Sequence, residues 1–308
     1  MSDKKIHCSV GVMAFNEEQN IGRLLDSLLS QELKHVVIDE IVVVSSGSTD
    51  DTDNIVLEYA EKHKIVRLIV QTERKGKASA VNLFIKHAKN DILIIESADT
   101  IPAVNTVEKL ITPFRNEKIG MTGGRPMPVN SGEDFISFSV RLLWKMHHEM
   151  AKFKPKLGEM IAFRKVFEEV PEVSAVDEAS IEALITSAGL ECLYISDAII
   201  HNKGPETIED FIKQRKRIAI GHMWLKDNQD YEVTSSNMCL LFGLFIKECI
   251  MQPHNIWKII LTAKLEIYCR IVGCVEYKFR KANPFIWDIS NSTKTFDKYK
   301  DSPPSRKG

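Results

Sequence analysis

The chain has no long apolar run and no excess of charge of one sign. Its 308 residues carry 41 Lys+Arg against 42 Asp+Glu, a formal charge of −1, which argues against a general nucleic-acid binder. Six cysteines, irregularly spaced, are too few for a disulfide scaffold, and free thiols in a reducing cytoplasm are the expectation. The opening MSDKKIHCSVGVM has no apolar stretch ahead of a small-residue cleavage site, so no signal peptide is expected. A membrane-spanning helix needs roughly 20 apolar residues. Met238 to Ile246 stops at Lys247 and Glu248, and Ile256 to Val275 is interrupted by Lys258, Lys264, Glu266 and Arg270. No G-x-G-x-x-G follows the first apolar segment and no G-x-x-x-x-G-K-[ST] occurs, which sets aside a dinucleotide site and a P-loop. Hydrophobic residues nevertheless make up 44%, enough for a sizeable core, and whole-chain disorder is excluded.

What is present is an alternation of strand and helix. His7–Phe15, Glu40–Val44, Val66–Gln71, Asp91–Glu96 and Ile119–Gly123 read as buried strands. Between them lie helical patterns: one carrying Ile21, Leu24, Leu25 and Leu28, one running to about Lys64, and one from Gly76 to Ala88. Asn16 is placed to cap the first helix, with Gln19 three residues on as in a capping box. Such alternation predicts an α/β fold with a mainly parallel sheet flanked by helices. Ligands of such sheets bind beyond the carboxyl ends of the strands. That rule selects Ala14–Glu17, Ser45–Asp50, Lys75–Lys77 and Ser97–Thr100.

From Gly132 the pattern changes. Phe135–Phe153, Asp177–Ala188 and Glu206–Lys226 read as helices, with short strands at Cys192–Ile195 and Ala198–His201. Residues 231–289 form a mostly helical extension and residues 290–308 a tail expected to fray. The extension either lies on a membrane surface, since amphipathic helices with basic flanks such as Lys278, Arg280 and Lys281 can do so, or packs on the rest of the chain or in a dimer contact.

Four groups of residues carry chemistry. Asp99 follows an apolar strand, where its carboxylate can hold a hard divalent cation or cap a turn. His201 ends another strand, and its imidazole could complete a metal shell. Asp177-Glu178 open a helix, as a general base or as acids favoured by the macrodipole. Gln214, Arg217, Gly221 and Trp224 share one helix face, where an arginine can clamp an anion.

Taken in order, these segments resemble the family 2 glycosyltransferases, which have the GT-A fold. The resemblance runs from about Cys8 to Trp224. Ala14-Phe15-Asn16-Glu17-Glu18 is similar to the family's Tyr-Asn-Glu, and Ser45-Ser46-Gly47-Ser48-Thr49-Asp50 to its Asp-Asp-Gly-Ser-Thr-Asp. Gly76-Lys77 with Ala80 and Asn82 resembles Gly-Lys…Ala-Leu-Asn. Ser97-Ala98-Asp99 stands at D-x-D, Asp177-Glu178 at Glu-Asp, and Gln214…Arg217 at Q-x-x-R. The sequence departs from the family in four places. Ser97 replaces the first acid of D-x-D, Ser45-Ser46 replaces the acid that reads the nucleobase, the acidic pair is reversed, and Ile218 rather than Trp follows Arg217.

The resemblance implies transfer from a nucleoside-diphosphate sugar to a glycan or lipid-linked acceptor, with Mg2+ or Mn2+ and with inversion. It assigns the donor to Ala14, Phe15, Glu17, Ser45, Ser46, Lys77, Ser97, Asp99, Gln214 and Arg217. It assigns the metal to Asp99 with His201, and the base to Glu178 or Asp177. Glu159, Arg164 and Trp224 fall on the acceptor side. The implied setting is the cytoplasm, or the inner face of the cell membrane. The rival readings are a non-catalytic sugar-nucleotide binder and a sugar-nucleotide pyrophosphorylase. The second would want a Gly-rich loop with Arg and Lys after the first strand, where Phe15-Asn16-Glu17-Glu18 stands instead.

Overall fold

The computed structural model describes residues 4–172, 177–231 and 237–280. The tail expected to fray lies outside them. Strands β1 (Ile6–Ala14), β2 (Val36–Ser46), β3 (Val66–Gln71) and β4 (Ile92–Ser97) alternate with helices α1 (Ile21–Leu29), α2 (Thr52–Lys62) and α3 (Lys77–His87). Then come β5 (Thr100–Pro102), α4 (Thr106–Ile111), β6 (Ile119–Pro128), α5 (Phe135–Phe153), β7 (Ile161–Arg164), α6 (Asp177–Ser187), β8 (Glu191–Asn202) and α7 (Ile208–Gln229). Helices α8 (Met238–Met251) and α9 (Ile256–Arg280) end the described chain.

All eight strands form one sheet in the order β3-β2-β1-β4-β7-β6-β8-β5. The pairings β1–β2, β2–β3, β1–β4 and β6–β8 are parallel, and β7 and β5 enter antiparallel. The strands read as continuous apolar runs because both faces are covered. Along β2, Ile41 and Val43 face the core under α1, α2 and α4, while Val42 and Val44 face the core under α3 and α6. Ile92 and Ile94 of β4 divide from Leu93 and Ile95 in the same way. Gly11 permits the close approach of α3, since a Cβ there would stand 2.5 Å from the Phe84 ring.

Two expectations need correction. The capping box at Asn16 does not form: α1 begins at Ile21 with Asn20 at its N-cap. Asn16 is instead left-handed at φ 52° and accepts a hydrogen bond from Thr49 N at 2.8 Å, joining the loops after β1 and β2. The two short strands expected around Cys192 and His201 are one strand. Its register against β6 shifts between Gly123 and Arg125, and this irregularity absorbs the polar Ser196-Asp197.

Helix α5 joins the sheet to the C-terminal helices. Ile136 and Val140 meet Phe211 of α7 and Leu265 of α9, while Phe138 and Leu142 meet Ile259 of α9 and Phe245 of α8. Among the described residues no helix is long and apolar enough to cross a membrane.

Candidate active site

The chain runs from β1 outward through β2 and β3, then returns to place β4 on the other side of β1. That reversal is the topological switch point at which open α/β sheets bind ligands. Ala14 and Ser97 end its two strands, and Ala98 N donates to Met13 O at 3.1 Å across it.

One wall comprises the loops after β1, β2 and β3. Ser45 Oγ donates to Ser48 Oγ at 2.9 Å, and Ser48 Oγ accepts from Asn16 N at 3.1 Å. Glu17 N donates to Thr52 Oγ1 at 2.8 Å, and the Glu17 carboxylate accepts from Asn20 Nδ2 at 2.8 Å. Glu17 thus fastens the loop. The Arg74 guanidinium lies over the Phe15 ring at 4.1 Å, within cation–π reach. Gly76, at φ 90°, makes the turn into α3 and presents Lys77 to the crevice.

The floor is acidic. Lys77 Nζ donates to Glu178 Oε1 at 2.6 Å, from the start of α3 to the start of α6. Burial opposes the charge on Glu178, but Lys77 and then Arg217 outweigh it and hold that carboxyl below its usual range. Asp177 is fully enclosed; burial pushes it up to about 7 against the pull of Lys77, and Glu178 adds to the rise. Burial lowers and the two carboxylates raise Lys77, which ends above its ordinary value. Arg217 brings its charge to the same pair from α7.

Glu159 and Glu96 extend the negative patch toward Asp99. Burial pushes Glu159 up to about 7, with Asp99 and Glu178 adding to the rise. Burial pushes Glu96 up to about 8, and Glu159 and Asp99 add to it while the Thr100 hydroxyl, donating at 2.7 Å, opposes it. Asn202 Nδ2 donates to Glu159 Oε1 at 3.0 Å. Glu159 is one of the described non-glycine residues at positive φ, 59°. Backbone strain of that kind costs on the order of 1–3 kcal/mol and clusters at functional sites.

The structure therefore brings together Lys77, Asp99, Glu159, Asp177, Glu178 and Arg217. Ser97 sits half-buried at the end of β4, and Gln214 lies half-buried one turn before Arg217. His201 pairs with Ile101 of β5, two residues along from Asp99. Among the described residues no three His, Cys, Asp or Glu side chains form a ready-made metal cage. Trp224 packs with Ala179, Leu225 and Tyr231, backing the helix that carries the acidic pair.

Arg164 does not belong to the site. It pairs with Ile92, the first residue of β4, and so lies at the opposite end of the sheet. There it donates to Ile119 O at 2.9 Å and Phe114 O at 2.7 Å. The antiparallel course of β7 carries it away. Sequence reasoning missed Glu96, Asn202 and Arg74, of which Glu96 had a signal, as an acid closing an otherwise apolar strand.

The "Glycosyl transferase family 2" model matches residues 9–177. A probable glycosyltransferase of Bacillus subtilis (strain 168), YdaM, is 24% identical over 233 residues, 70% of this chain and 55% of that protein. The dolichyl-phosphate beta-glucosyltransferase ALG5C of Trichomonas vaginalis (strain ATCC PRA-98 / G3) is 30% identical over 114 residues, 35% of this chain and 34% of that one. The chain thus spans about a third to just over half of these relatives. The mannosyltransferase PcManGT from Pyrobaculum calidifontis, solved with GDP-Man and Mn2+, superposes with a TM-score of 0.65 at 20% identity, covering 90% of this chain and 88% of that one. The fold is GT-A.

Proposed function

Since the chain belongs to glycosyl transferase family 2, we propose that it transfers a hexose from a nucleoside-diphosphate sugar to an acceptor hydroxyl or a lipid-linked acceptor, with inversion. The observation that carries this reading is the pairing of Lys77 with Glu178 at 2.6 Å beside the enclosed Asp177, at the strand ends of β1 and β4. The domain to which we assign the chemistry is 1–230, with 231–289 as an extension whose residues 232–236 and 281–289 lie outside the described ones.

In this reading the donor lies over Ala14, Phe15, Ser45 and Ser46. Lys77 and the Gln214/Arg217 face carry the positive charge that suits a diphosphate. The acceptor oxygen bonds to the anomeric carbon as the bond from that carbon to the diphosphate breaks, and the diphosphate departs with the electron pair. The hydroxyl proton passes to a carboxylate. Asp177 suits that role better than Glu178, because burial makes it the more basic carboxylate while the contact with Lys77 at 2.6 Å keeps Glu178 ionised and weakly basic. Glu178 then positions Lys77.

Mg2+ or Mn2+ fits the residues present. Glu96 Oε2 and Asn202 Oδ1 are buried without a hydrogen-bond partner beside Asp99 and Glu159, and carboxylates outnumber cations there. Asp99 with Glu159 would supply hard oxygen ligands. Such a cation, when bound, neutralises charge on the leaving diphosphate. The setting that goes with a lipid-linked acceptor is the cytoplasmic face of a membrane.

Ser97, standing where the family places an acid, supports a second reading as a non-catalytic sugar-nucleotide binder. A panel of sugar nucleotides with Mn2+, assayed for hydrolysis and for transfer, tests both. Turnover that Asp99→Asn abolishes is the expected outcome. Saturable donor binding without turnover on any acceptor would replace the first reading with the second.

A further inference from the structure

Among the described residues, helices α8 and α9 expose an apolar surface that no other described element covers. On α8, Phe242 is 65% and Ile250 74% exposed. On α9, the exposed Trp257, Leu261, Tyr268, Ile271, Val275 and Phe279 recur at helical spacing. At 3.6 residues per turn these six fall within about a quarter-turn of arc, in a stripe about 33 Å long. Phe279 at its end is 81% exposed.

The charges on these helices are sorted by sign. Their acidic residues are Glu248, Glu266 and Glu276, and all three turn inward and are paired. Glu248 meets Lys145 of α5 at 2.7 Å, Glu266 meets Arg215 of α7 at 2.7 Å, and Glu276 meets Lys216 of α7 at 2.9 Å. The exposed charged side chains described on these two helices are Lys247, Lys264 and Lys278, of which Lys247 is paired with Glu149 of α5 at 2.7 Å. Lys264 stands inside the apolar stripe and Lys278 at its edge.

We propose that α8 and α9 dock this protein flat on an anionic lipid surface. A second copy of the chain is a poorer occupant. A two-fold contact would set the same patch against itself, bringing lysine against lysine with no exposed acid to answer it, and lysine is depleted from protein interfaces. A bilayer interface accepts both features. Lysine stems lie along apolar surface while their ammonium groups reach lipid phosphates, and Trp257 and Tyr268 have the amphipathic rings that settle at headgroup depth. Helix α9 also packs along α7, whose Arg217 reaches the catalytic carboxylates while its Arg215 and Lys216 hold α9. One helix thus separates the lipid-facing stripe from the crevice, an arrangement suited to an acceptor that arrives in the membrane.

The test is flotation of the full chain with vesicles of phosphatidylcholine alone and of phosphatidylcholine mixed with phosphatidylglycerol, at low and high salt. Binding to the mixed vesicles only, weakened by salt, is expected. Each lysine near an anionic surface is worth about fivefold in binding, so Lys264→Glu with Lys278→Glu should weaken it by more than about tenfold. Ile271→Glu with Val275→Glu should abolish it; all four positions are exposed, so melting temperatures should stay unchanged. No binding to the mixed vesicles, or equal binding by wild type and both double variants, overturns the proposal. So does a dimer in sedimentation velocity that dissociates on Ile271→Glu, which would make the face a contact between copies. The measurement uses no sugar nucleotide, so its failure leaves the transferase reading standing.

Discussion

Asp177 and Glu178 are neighbours in sequence with opposite electrostatics. Lys77 reaches Glu178 at 2.6 Å and leaves Asp177 buried, with Oδ1 lacking a hydrogen-bond partner. A base must be deprotonated to act, so the upward shift that burial gives Asp177 sets the sign of the pH dependence. Turnover should climb as pH rises through the range of a raised carboxyl and level off above it. Asp177→Asn should remove that limb and cost about 10²–10⁴ in kcat while donor affinity is kept. Glu178→Gln should keep the limb and weaken donor binding through a misplaced Lys77. An unchanged pH profile in Asp177→Asn would transfer the base role to Glu178, the residue that aligns with the family's base. Sequence made the pair legible as strand-end acids, but its internal division of labour was not. That division depends on which carboxylate meets Lys77, a contact across 101 residues. Arg164 shows the converse: a basic residue close in sequence to Glu159 is carried to the far end of the sheet because β7 runs antiparallel.

Among the elements, α9 is held by charge as much as by packing. Arg215 grips Glu266 with two bonds of 2.7 Å, and Arg270 adds a third at 3.0 Å. Burial resists the charge on Glu266, but these guanidinium groups outweigh it and hold its carboxyl at about 2 against an ordinary 4.5. A depressed carboxyl stabilises the fold above its unfolded value and loses that contribution as pH falls. The stability at stake is on the order of 3 kcal/mol, fully present above about pH 4.5 and lost toward pH 2. Glu266→Gln should therefore lower the melting temperature at pH 7, and its deficit against wild type should vanish on acidification. A constant deficit across pH 7 to 3 would show that Glu266 acts by packing alone. The long elements were readable because their apolar periods are unbroken, as in β1 and α1. The short β5, β7 and α4 were not, since three to six residues carry too few repeats to show a period. The docking of α9 on α7 was open in sequence, because Lys and Glu interrupting an apolar run suit a packed helix and an interfacial one alike.

Across the whole molecule, a formal charge of −1 conceals a division of signs. Glu96, Asp99, Glu159, Asp177 and Glu178 gather at the strand ends, while Lys264 and Lys278 face outward on α9. An acidic crevice repels a diphosphate unless a cation intervenes, so donor and divalent ion should bind together. A ligand that binds only the folded state adds about 2.7 kcal/mol of stability at a hundredfold excess over its Kd. Thermal melts should accordingly show a small rise with Mn2+ alone, little with a sugar nucleotide in chelator, and a larger-than-additive rise with both. Asp99→Asn should abolish the synergy, whereas Asp177→Asn, outside the ion's shell, should retain it. If the nucleotide shifts the melt equally in chelator and in Mn2+, the basic residues Lys77 and Arg217 suffice for the diphosphate, and the acidic floor serves the acceptor instead. That outcome would accord with Ser97, whose hydroxyl replaces an acid at the very strand end where the cation is expected.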